Sequence, residues 1–282
     1  MKKVLVLGSE GLLGSAIVAG FTGDFFVTAW DKSELDVTNK NEVLGKIIAL
    51  APDYIINATA YNGVDQAEKD EQSASLANKI NCEAVGYLAE AAYKVGAPIV
   101  HFSTDYVFAG DSGSGYDEAA KPSPINKYGK SKADGEKILM EKTNKYYLVR
   151  LSRMFGPPGK SAAAKKSFVD QIIASAKGKE EMKLVDEEFS CATYSIDLAK
   201  FVKKLISTSA PFGIYHGANS GVSTWYTMTK EIFRIKNIDV KLLPIKSSDF
   251  PRVAKRPHYS ELINSKLPIQ RTWQEALEEY LK

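Results

Sequence analysis

The chain opens with the stretch Lys3–Gly14, which reads KVLVLGSEGLLG. Its first half is an apolar run of strand length, and its second half carries three glycines before a helical pattern. In such a turn the first glycine permits the tight bend, the second lets a pyrophosphate approach the backbone, and the third lets helix and strand pack closely. The order strand, glycines, helix predicts a dinucleotide-binding unit. Its expected cofactor-binding residues are Gly8, Gly11, Leu12 and Gly14.

The same alternation of strand and helix patterns continues through the first 150 residues. Near-continuous apolar runs, typical of strands covered on both faces, lie at 4–7, 25–30, 54–56, 99–102 and 147–151. Helical patterns lie between them at 12–21, 40–50, about 64–95 and 127–142. Asn39 followed by Glu42 is a capping signal for the second helix. This order predicts an α/β fold, a Rossmann-type doubly wound parallel sheet.

The alternation loosens after residue 150. Short strand patterns occur at 183–185, 213–215 and 240–243, and helical patterns at 196–206, 223–235 and 272–281. The glycine- and proline-containing stretch 156–166 is expected to be a mobile loop. We expect residues 1–150 to form the dinucleotide-binding domain, which C-terminal parts can rejoin. Residues 151–282 are expected to form mainly a smaller α/β substrate lobe.

Composition narrows the class of protein. The 282 residues carry 37 basic and 34 acidic side chains, a net charge of +3, without the dense basic face of a nucleic-acid binder. No apolar run approaches the length of a membrane span, and no signal-peptide pattern opens the chain. Two cysteines without metal or redox spacing favour a reducing, cytoplasmic location. No metal site is predicted, and the sequence leaves monomer and homodimer open.

Asp31 and Lys32 end the second predicted strand, where the acidic residue that binds the adenosine ribose belongs. The Asp31 carboxylate would accept hydrogen bonds from both ribose hydroxyls, which favours NADH. Lys32 would instead attract the 2′-phosphate of NADPH. The cofactor is therefore predicted to be NADH or NADPH. Glu10 is expected to point outward, because its carboxylate would repel the pyrophosphate.

Tyr128 and Lys132 stand four residues apart in a predicted helix, which places them on one face. A nearby ammonium favours the phenolate, so we expect Lys132 to lower the pKa of Tyr128 towards the range useful for acid–base work. Lys132 can also bind the nicotinamide ribose. Thr104 follows a strand at its carboxyl end, where open parallel sheets bind ligands, and can orient a carbonyl. These three residues predict hydride-transfer chemistry.

Further segments carry a resemblance to a known family. They are Leu35–Thr38, Asn57–Tyr61, Val64–Glu68, Ser103–Phe108, Tyr128–Lys132, Thr193–Ala199, Gly213–His216 and Arg256–Ser260. They resemble the dTDP-4-dehydrorhamnose reductase family of the extended short-chain dehydrogenase/reductase superfamily. The most specific of them is Ser103–Phe108, which reads STDYVF, and together they span nearly the whole chain.

The resemblance implies a reaction in dTDP-rhamnose biosynthesis. NAD(P)H would pass a hydride to the 4-keto carbon of a nucleotide-linked deoxysugar, converting dTDP-4-dehydro-6-deoxy-L-mannose to dTDP-L-rhamnose. Tyr128 would donate the proton, Thr104 would steady the oxygen, and Lys132 would hold the ribose. Cofactor contacts are also implied at Asp36, Val37, Ala58, Ala60 and Tyr61. Substrate contacts are implied at Thr104, Asp105, Val107, Tyr128, Arg153 and Arg256.

Some residues depart from the family pattern. Arg153 stands where the family usually has a tryptophan, and it is expected either to pair with a phosphate or an acidic sugar or to be a solvated loop residue. Ser190 and Ala192 replace the usual glycine and proline. These departures leave the exact sugar and base open. Glu187 and Glu188 are expected to be a solvated surface pair.

Two alternatives stay open. The first is an epimerase or dehydratase of the same superfamily, although a dehydratase typically needs a glutamate after Asp105, where this chain has Tyr106. The second is a non-catalytic regulatory subunit that keeps the fold and binds a partner enzyme, as the regulatory subunit of methionine adenosyltransferase, which resembles this family, illustrates. The intact set of Thr104, Tyr128 and Lys132 argues against the second alternative.

Overall fold

The computed structural model describes residues 1–161 and 166–282. A six-stranded sheet forms its centre, and every neighbouring pair of strands is parallel. The strands are β1 (Lys3–Leu7), β2 (Phe26–Trp30), β3 (Tyr54–Asn57), β4 (Ile99–Thr104), β5 (Tyr146–Leu151) and β9 (Gly213–His216). Their order is β2–β1–β3–β4–β5–β9. The predicted Rossmann-type fold is confirmed.

Helices cover both faces of this sheet because its strands are apolar on both. The first face packs on α1 (Leu12–Phe21) and α8 (Ser195–Ser207), and the second on α2 (Lys40–Leu50), α5 (Ala84–Val95) and α6 (Lys127–Lys142). Alternate side chains of β1 illustrate the division, since Val4 and Val6 belong to the first core and Leu5 and Leu7 to the second. Asn39 caps α2 by accepting the Glu42 N–H, as the sequence predicts.

The long helical pattern at 64–95 is not one helix, so that expectation is wrong. It contains α3 (Val64–Lys69), α4 (Glu71–Asn78), a π-helical turn (Lys79–Glu83) and α5. Asp70 makes the break, because its backbone is extended and its carboxylate accepts the Ser73 N–H at the start of α4. A helical period alone cannot reveal such a break, since the period resumes after it.

Two elements from beyond residue 150 complete the central sheet and its helical cover. Strand β9 pairs with β5 at the edge of the sheet, and α8 packs on α1. The remaining elements form a smaller lobe with its own core. They are β6 (Met154–Phe155), α7 (Phe168–Ala176), β7 (Glu181–Val185), β8 (Thr193–Tyr194), α9 (Trp225–Lys236), β10 (Lys241–Ile245) and α10 (Trp273–Leu281). Strand β6 pairs with β8, and β7 with β10.

Helix α7 has no counterpart among the predicted elements. The loop expected at 156–166 falls partly on residues 162–165, which lie outside the described residues. Within the described ranges, no helix has the length and apolar character needed to cross a bilayer.

Candidate functional site

The glycine turn joins β1 to α1 at the point where the strand order reverses between β1 and β3, which is where open α/β sheets bind ligands. Gly8 has a φ of +71°, and a Cβ there would lie 3.0 Å from the backbone of Ala58. A Cβ on Gly14 would lie 2.0 Å from the Gly8 carbonyl oxygen. Both positions therefore require glycine.

The N-terminus of α1 lies at this turn, and no side chain of the described residues caps it. Gly11 is the N-cap residue and has no side chain that could cap the helix. The first turn, which begins at Leu12 and is fully described, carries no acidic residue. Backbone N–H groups and the positive end of the helix dipole bind phosphate at such a terminus. The close packing that Gly8 and Gly14 permit, together with this helix N-terminus, thus fits the pyrophosphate of a dinucleotide.

A segment that follows β6 packs against the same turn. Gly159 packs backbone to backbone against it, so that a Cβ on Gly159 would lie 2.3 Å from the Glu10 carbonyl oxygen and 2.9 Å from the Leu12 nitrogen. The Ser161 N–H donates to the Glu10 carbonyl at 3.2 Å. Sequence reasoning identified a loop here but not its contact with the glycine turn.

The Asp31 carboxylate is hydrogen-bonded to the backbone of the glycine turn. Its Oδ2 accepts the Glu10 N–H at 3.0 Å, and its Oδ1 accepts the Lys32 N–H at 2.8 Å. Each carboxylate oxygen can accept a further hydrogen bond, so the position fits a ribose-binding acid. The side chains of Glu10 and Lys32 are both exposed, as expected for Glu10.

Asp36 and Val37 follow β2 on the same side of the sheet. Asp36 accepts the hydroxyl of Thr38 at 2.7 Å and its N–H at 2.9 Å, and these hydrogen bonds hold the pKa of the Asp36 carboxyl below its usual value. Val37 packs, partly buried, against the second core. The hydrogen bonds between Asp36 and Thr38 therefore fix the backbone that follows β2.

The loop after β3 carries Ala58, Ala60 and Tyr61. Asn81, in the π-helical turn, accepts the Tyr61 N–H at 2.9 Å and donates to the Tyr61 carbonyl at 3.0 Å. The same amide donates to the Ser131 hydroxyl of α6 at 3.0 Å. One buried asparagine thus joins the expected cofactor loop to the expected catalytic helix. Sequence reasoning missed Asn81, although π-helical turns are frequent at functional sites.

Tyr128 and Thr104 lie beside each other, which brings the predicted phenol and hydroxyl together. Burial raises the pKa of the Tyr128 phenol well above its usual value, and a hydrogen bond with Thr104 only partly opposes this. The negative charge of Asp105 adds to the increase. The phenol is therefore protonated at neutral pH, which is the form that can donate a proton.

Lys132 lies one turn along α6 and is only 2% exposed. Its Nζ donates to the Phe102 carbonyl at 2.7 Å. Burial lowers the pKa of the Lys132 ammonium to about 8, with an opposing contribution from Glu136. The prediction that Lys132 lowers the pKa of Tyr128 is wrong for this structure, because burial dominates at the phenol and the ammonium is bound to a backbone carbonyl.

Asp105 is the centre of a buried hydrogen-bond network. It is 3% exposed and accepts the Thr104 hydroxyl at 3.1 Å, the Ser190 hydroxyl at 2.9 Å and the Ser260 hydroxyl at 2.6 Å. Ser190 and Ser260 come from the C-terminal half of the chain, so this carboxylate ties the smaller lobe to the end of β4. Sequence reasoning found Asp105 but not its two serine partners.

Val107 and Arg256 are placed differently from the direct substrate contacts expected of them. Val107 has no exposed surface and packs in a core cluster with Phe108. It can therefore act on the site only through the residues that it packs against. Arg256 donates to both carboxylate oxygens of Asp65, at 3.0 and 2.6 Å. This ion pair joins α3 to the segment 250–260, which also carries Ser260.

Arg153 does not lie in a solvated loop, so that alternative is wrong. Its guanidinium lies 4.2 Å from the centre of the Trp225 ring. It donates to the Ser223 carbonyl at 2.8 Å and to the Glu188 carbonyl at 2.6 Å. Its φ is +37°, an uncommon conformation for a side-chain-bearing residue. Trp225 therefore provides the aromatic face on which the Arg153 guanidinium lies.

Glu188 is buried, so the expectation of a solvated pair with Glu187 is wrong. Its carboxylate accepts from both terminal nitrogens of Arg252, from Trp225 Nε1 at 3.0 Å and from the Ser247 hydroxyl at 3.0 Å. Burial opposes ionisation of Glu188, but these hydrogen bonds and the Arg252 charge outweigh it and lower its pKa. A pair of adjacent glutamates in a sequence gives no sign of such partners.

Comparison with known proteins places these features in a family. The family model described as RmlD substrate binding domain matches residues 1–282. A dTDP-4-dehydrorhamnose reductase of Aggregatibacter actinomycetemcomitans is 35% identical, over 98% of this chain and 97% of that protein. The spore coat polysaccharide biosynthesis protein SpsK of Bacillus subtilis (strain 168) is 33% identical, over 100% of this chain and 98% of that protein.

A solved structure agrees with these relatives. The crystal structure of dTDP-4-dehydrorhamnose reductase from Bacillus anthracis str. Ames, in complex with NADP, has a TM-score of 0.93 to this chain and 36% sequence identity. The match covers 99% of this chain and 98% of that one.

Proposed function

Because this chain belongs to the RmlD substrate binding domain family, we propose that it is an NAD(P)H-dependent oxidoreductase acting on a nucleotide-linked sugar. The reaction is reduction of the 4-keto group of dTDP-4-dehydro-6-deoxy-L-mannose to give dTDP-L-rhamnose. Relatives that match nearly the whole chain are named for this reaction. NADP in one related crystal structure supports NADPH, while Asp31 leaves NADH open.

One observation carries the proposal: a buried, protonated Tyr128 lies beside Thr104 at the end of β4. When bound, the reduced dinucleotide supplies the hydride. A reduction also needs a proton for the carbonyl oxygen, and Tyr128 holds one at neutral pH. A positioned acid of this kind typically contributes about 10²- to 10⁴-fold to a rate.

The other side chains hold the reacting groups in place. Gly8, Gly11, Leu12 and Gly14 would bind the pyrophosphate, and Asp31 the adenosine ribose. Asp36, Val37, Ala58, Ala60 and Tyr61 would line the rest of the cofactor cleft. Lys132 would bind the nicotinamide ribose after exchanging its bond to the Phe102 carbonyl. The substrate side would contain Thr104, Asp105, Val107, Arg153 and Arg256, with Val107 and Arg256 acting through neighbouring residues.

Location and assembly form a separate part of the proposal. Both cysteines, Cys82 and Cys191, are unpaired, as is usual in a reducing compartment. We place the reaction in the cytoplasm, with the protein working as a monomer or a homodimer. Neither a nucleic acid nor a membrane has a part in it.

NAD(P)H absorbance in the presence of dTDP-4-dehydro-6-deoxy-L-mannose tests the proposal. We expect steady oxidation by the wild-type protein and at least a ~100-fold lower rate in Tyr128→Phe, which keeps the ring but removes the proton. Cofactor affinity should stay within about 3-fold in that variant. Tight cofactor binding without turnover of any sugar nucleotide would support a regulatory subunit instead. Conversion of the sugar without net NAD(P)H consumption would support an epimerase or dehydratase.

A further inference from the structure

Among the residues that the structure describes, Arg153 has no acidic partner. Among residues 1–161 and 166–282, no carboxylate lies within the 4.0 Å that defines an ion pair with its guanidinium. Its two recorded hydrogen bonds go to backbone carbonyls, at Ser223 and Glu188. A guanidinium has five N–H donors, and the side chain stays partly exposed. Arg153 therefore keeps donors and a full positive charge for a ligand.

Two carboxylates, those of Glu188 and Asp105, act electrostatically on Arg153, and both are hydrogen-bonded to other groups. The Glu188 carboxylate is taken by Arg252, Trp225 and Ser247. The Asp105 carboxylate is taken by three hydroxyls. The negative charges of these two acids stabilise the positive charge of Arg153. Neither carboxylate accepts a hydrogen bond from its guanidinium. An incoming anion would meet no competing ion pair.

Arg153 is also fixed in place before any ligand arrives. The Trp225 ring lies under its guanidinium, and the indole is itself held by the Glu188 carboxylate and packed against Phe168. A guanidinium stacked on an aromatic face and bonded at two nitrogens has already lost much of its rotamer freedom. Binding through it therefore costs less entropy than binding through a free surface arginine.

The position of Arg153 relative to Thr104 fits one part of a sugar nucleotide. Hydrogen bonds lead from Thr104 to Asp105, from Asp105 to Ser190 at 2.9 Å, and from Ser190 to Ser152, the neighbour of Arg153, at 2.5 Å. Arg153 thus follows a residue that is joined to Thr104 through Ser190 and Asp105, and its charge interacts with Asp105 and Tyr106 without contacting the reacting pair. In a pyranose the 4-keto oxygen and the anomeric oxygen lie at opposite ends of the ring, so a diphosphate on the anomeric oxygen would point away from Thr104.

We propose that Arg153, held on the Trp225 indole, binds the diphosphate of the nucleotide-linked sugar and makes the site select diphosphates over less charged nucleotides. This inference rests on the proposed function for the identity of the substrate. The planar fork of the guanidinium matches two phosphate oxygens at once. A lysine at this position would supply the charge without the fork or the stacking.

Isothermal titration of the NADP-bound protein with dTDP, dTMP and thymidine tests the inference. We expect Arg153→Met to weaken dTDP binding about 10- to 100-fold, the range of one or two charge-assisted hydrogen bonds. Thymidine affinity should change less than about 2-fold, because thymidine carries no phosphate. Arg153→Lys should recover part of the dTDP affinity. Arg234→Met is the control, since it removes the same charge from an exposed arginine that is paired with Glu231.

The outcomes separate this inference from the proposed function. Unchanged dTDP affinity in Arg153→Met, with turnover intact in the wild-type protein, would overturn the diphosphate role and leave the reductase standing. Equal losses for dTDP and thymidine would also overturn it, because they would indicate a collapsed pocket. Failure of the wild-type protein to bind dTDP more tightly than thymidine would overturn it as well. A selective loss of dTDP would support it even if no sugar were turned over.

Discussion

The Thr104 hydroxyl donates its proton to Oδ1 of Asp105 across 3.1 Å. A hydroxyl has one proton, so a Thr104 that donates to Asp105 can only accept from Tyr128. The phenol must then be the donor of the pair, which agrees with the raised pKa of Tyr128. Asp105 therefore orients the hydroxyl that accepts from the catalytic acid, and Thr104 must turn away from Asp105 to donate to a substrate oxygen.

Asp105→Asn tests this arrangement. The amide keeps the shape of the side chain but replaces one acceptor oxygen with a donor, which disturbs the bonds from Thr104, Ser190 and Ser260. We expect kcat/KM to fall about 10- to 100-fold, the size of one or two charge-assisted hydrogen bonds. Cofactor affinity should be unchanged. Asp134→Asn, which alters an exposed carboxylate of α6, is the control, and equal activity of both variants would refute the role of Asp105.

Gly14→Ala is expected to abolish cofactor binding without any change in charge. The added Cβ would lie 2.0 Å from the Gly8 carbonyl oxygen, so α1 must move away from the glycine turn. Gly45→Ala is the matched control, because that helical glycine has open space around its Cβ position. There alanine should stabilise the protein by roughly 0.5–1 kcal/mol. Fluorescence titration with NADPH and thermal unfolding measure the two effects, and a Gly14→Ala protein with normal NADPH affinity would contradict the assigned site.

Lys132→Met is expected to change the free energy of unfolding by an amount that depends on pH. The folded pKa of Lys132 is about 8, below the ~10.4 of an unfolded lysine. Between these values the unfolded chain binds more protons, so Lys132 makes the wild-type stability rise with pH, by up to about 3 kcal/mol. The stability of Lys132→Met relative to wild type should therefore fall between pH 7 and pH 9.5. Urea unfolding at both values checks the sign, and a constant difference would show that burial does not shift this lysine.

Asn126 connects the catalytic helix to the substrate side. Its Oδ1 accepts the Gly129 N–H at 2.7 Å and caps α6, while its Nδ2 donates to the Lys255 carbonyl at 2.9 Å. Asn126→Asp keeps the cap and loses the donor. We expect KM for the sugar nucleotide to rise about 10-fold, because the lost hydrogen bond to Lys255 contributes about 0.5–1.5 kcal/mol, with kcat and cofactor affinity nearly unchanged.

The control for Asn126 is Asn39→Asp, since Asn39 caps α2 through Glu42 on an exposed surface. A rise in KM in both variants, or a fall in kcat without a rise in KM, would argue against a link through Lys255. An unfolded Asn126→Asp protein would contradict the idea that the cap survives the change.

The central layer of the fold was open to prediction because each signal in it is local. The apolar run of β1, the glycines behind it and the capping asparagine of α2 each act within a few residues, and the structure confirms them. Tyr128 and Lys132 were predictable as a pair for the same reason, since the helical period fixes their spacing. Sequence reasoning missed Asn126, whose cap of α6 is local but whose bond to Lys255 is not.

The rest depended on contacts between distant parts of the chain. Ser190 and Ser260 meet Asp105 from 85 and 155 residues away, and no periodicity relates them. Arg150 and Glu136 form a fully buried ion pair. Neither residue alone predicts burial, because arginine and glutamate are almost never fully buried unless they are paired. The pKa of Tyr128 was misjudged because sequence spacing reports which charge is near but not how deeply both groups are buried.

The central claim is that this protein transfers a hydride to the 4-keto carbon of a nucleotide-linked deoxysugar while Tyr128 supplies the proton. The most direct measurement is NMR of the product formed from dTDP-4-dehydro-6-deoxy-L-mannose and NADPH deuterated at C4 of the nicotinamide. The account predicts deuterium at C4 of the sugar in dTDP-L-rhamnose, formed by the wild-type protein and nearly absent with Tyr128→Phe. A product without deuterium at C4, or labelled product formed equally well by both proteins, would contradict it.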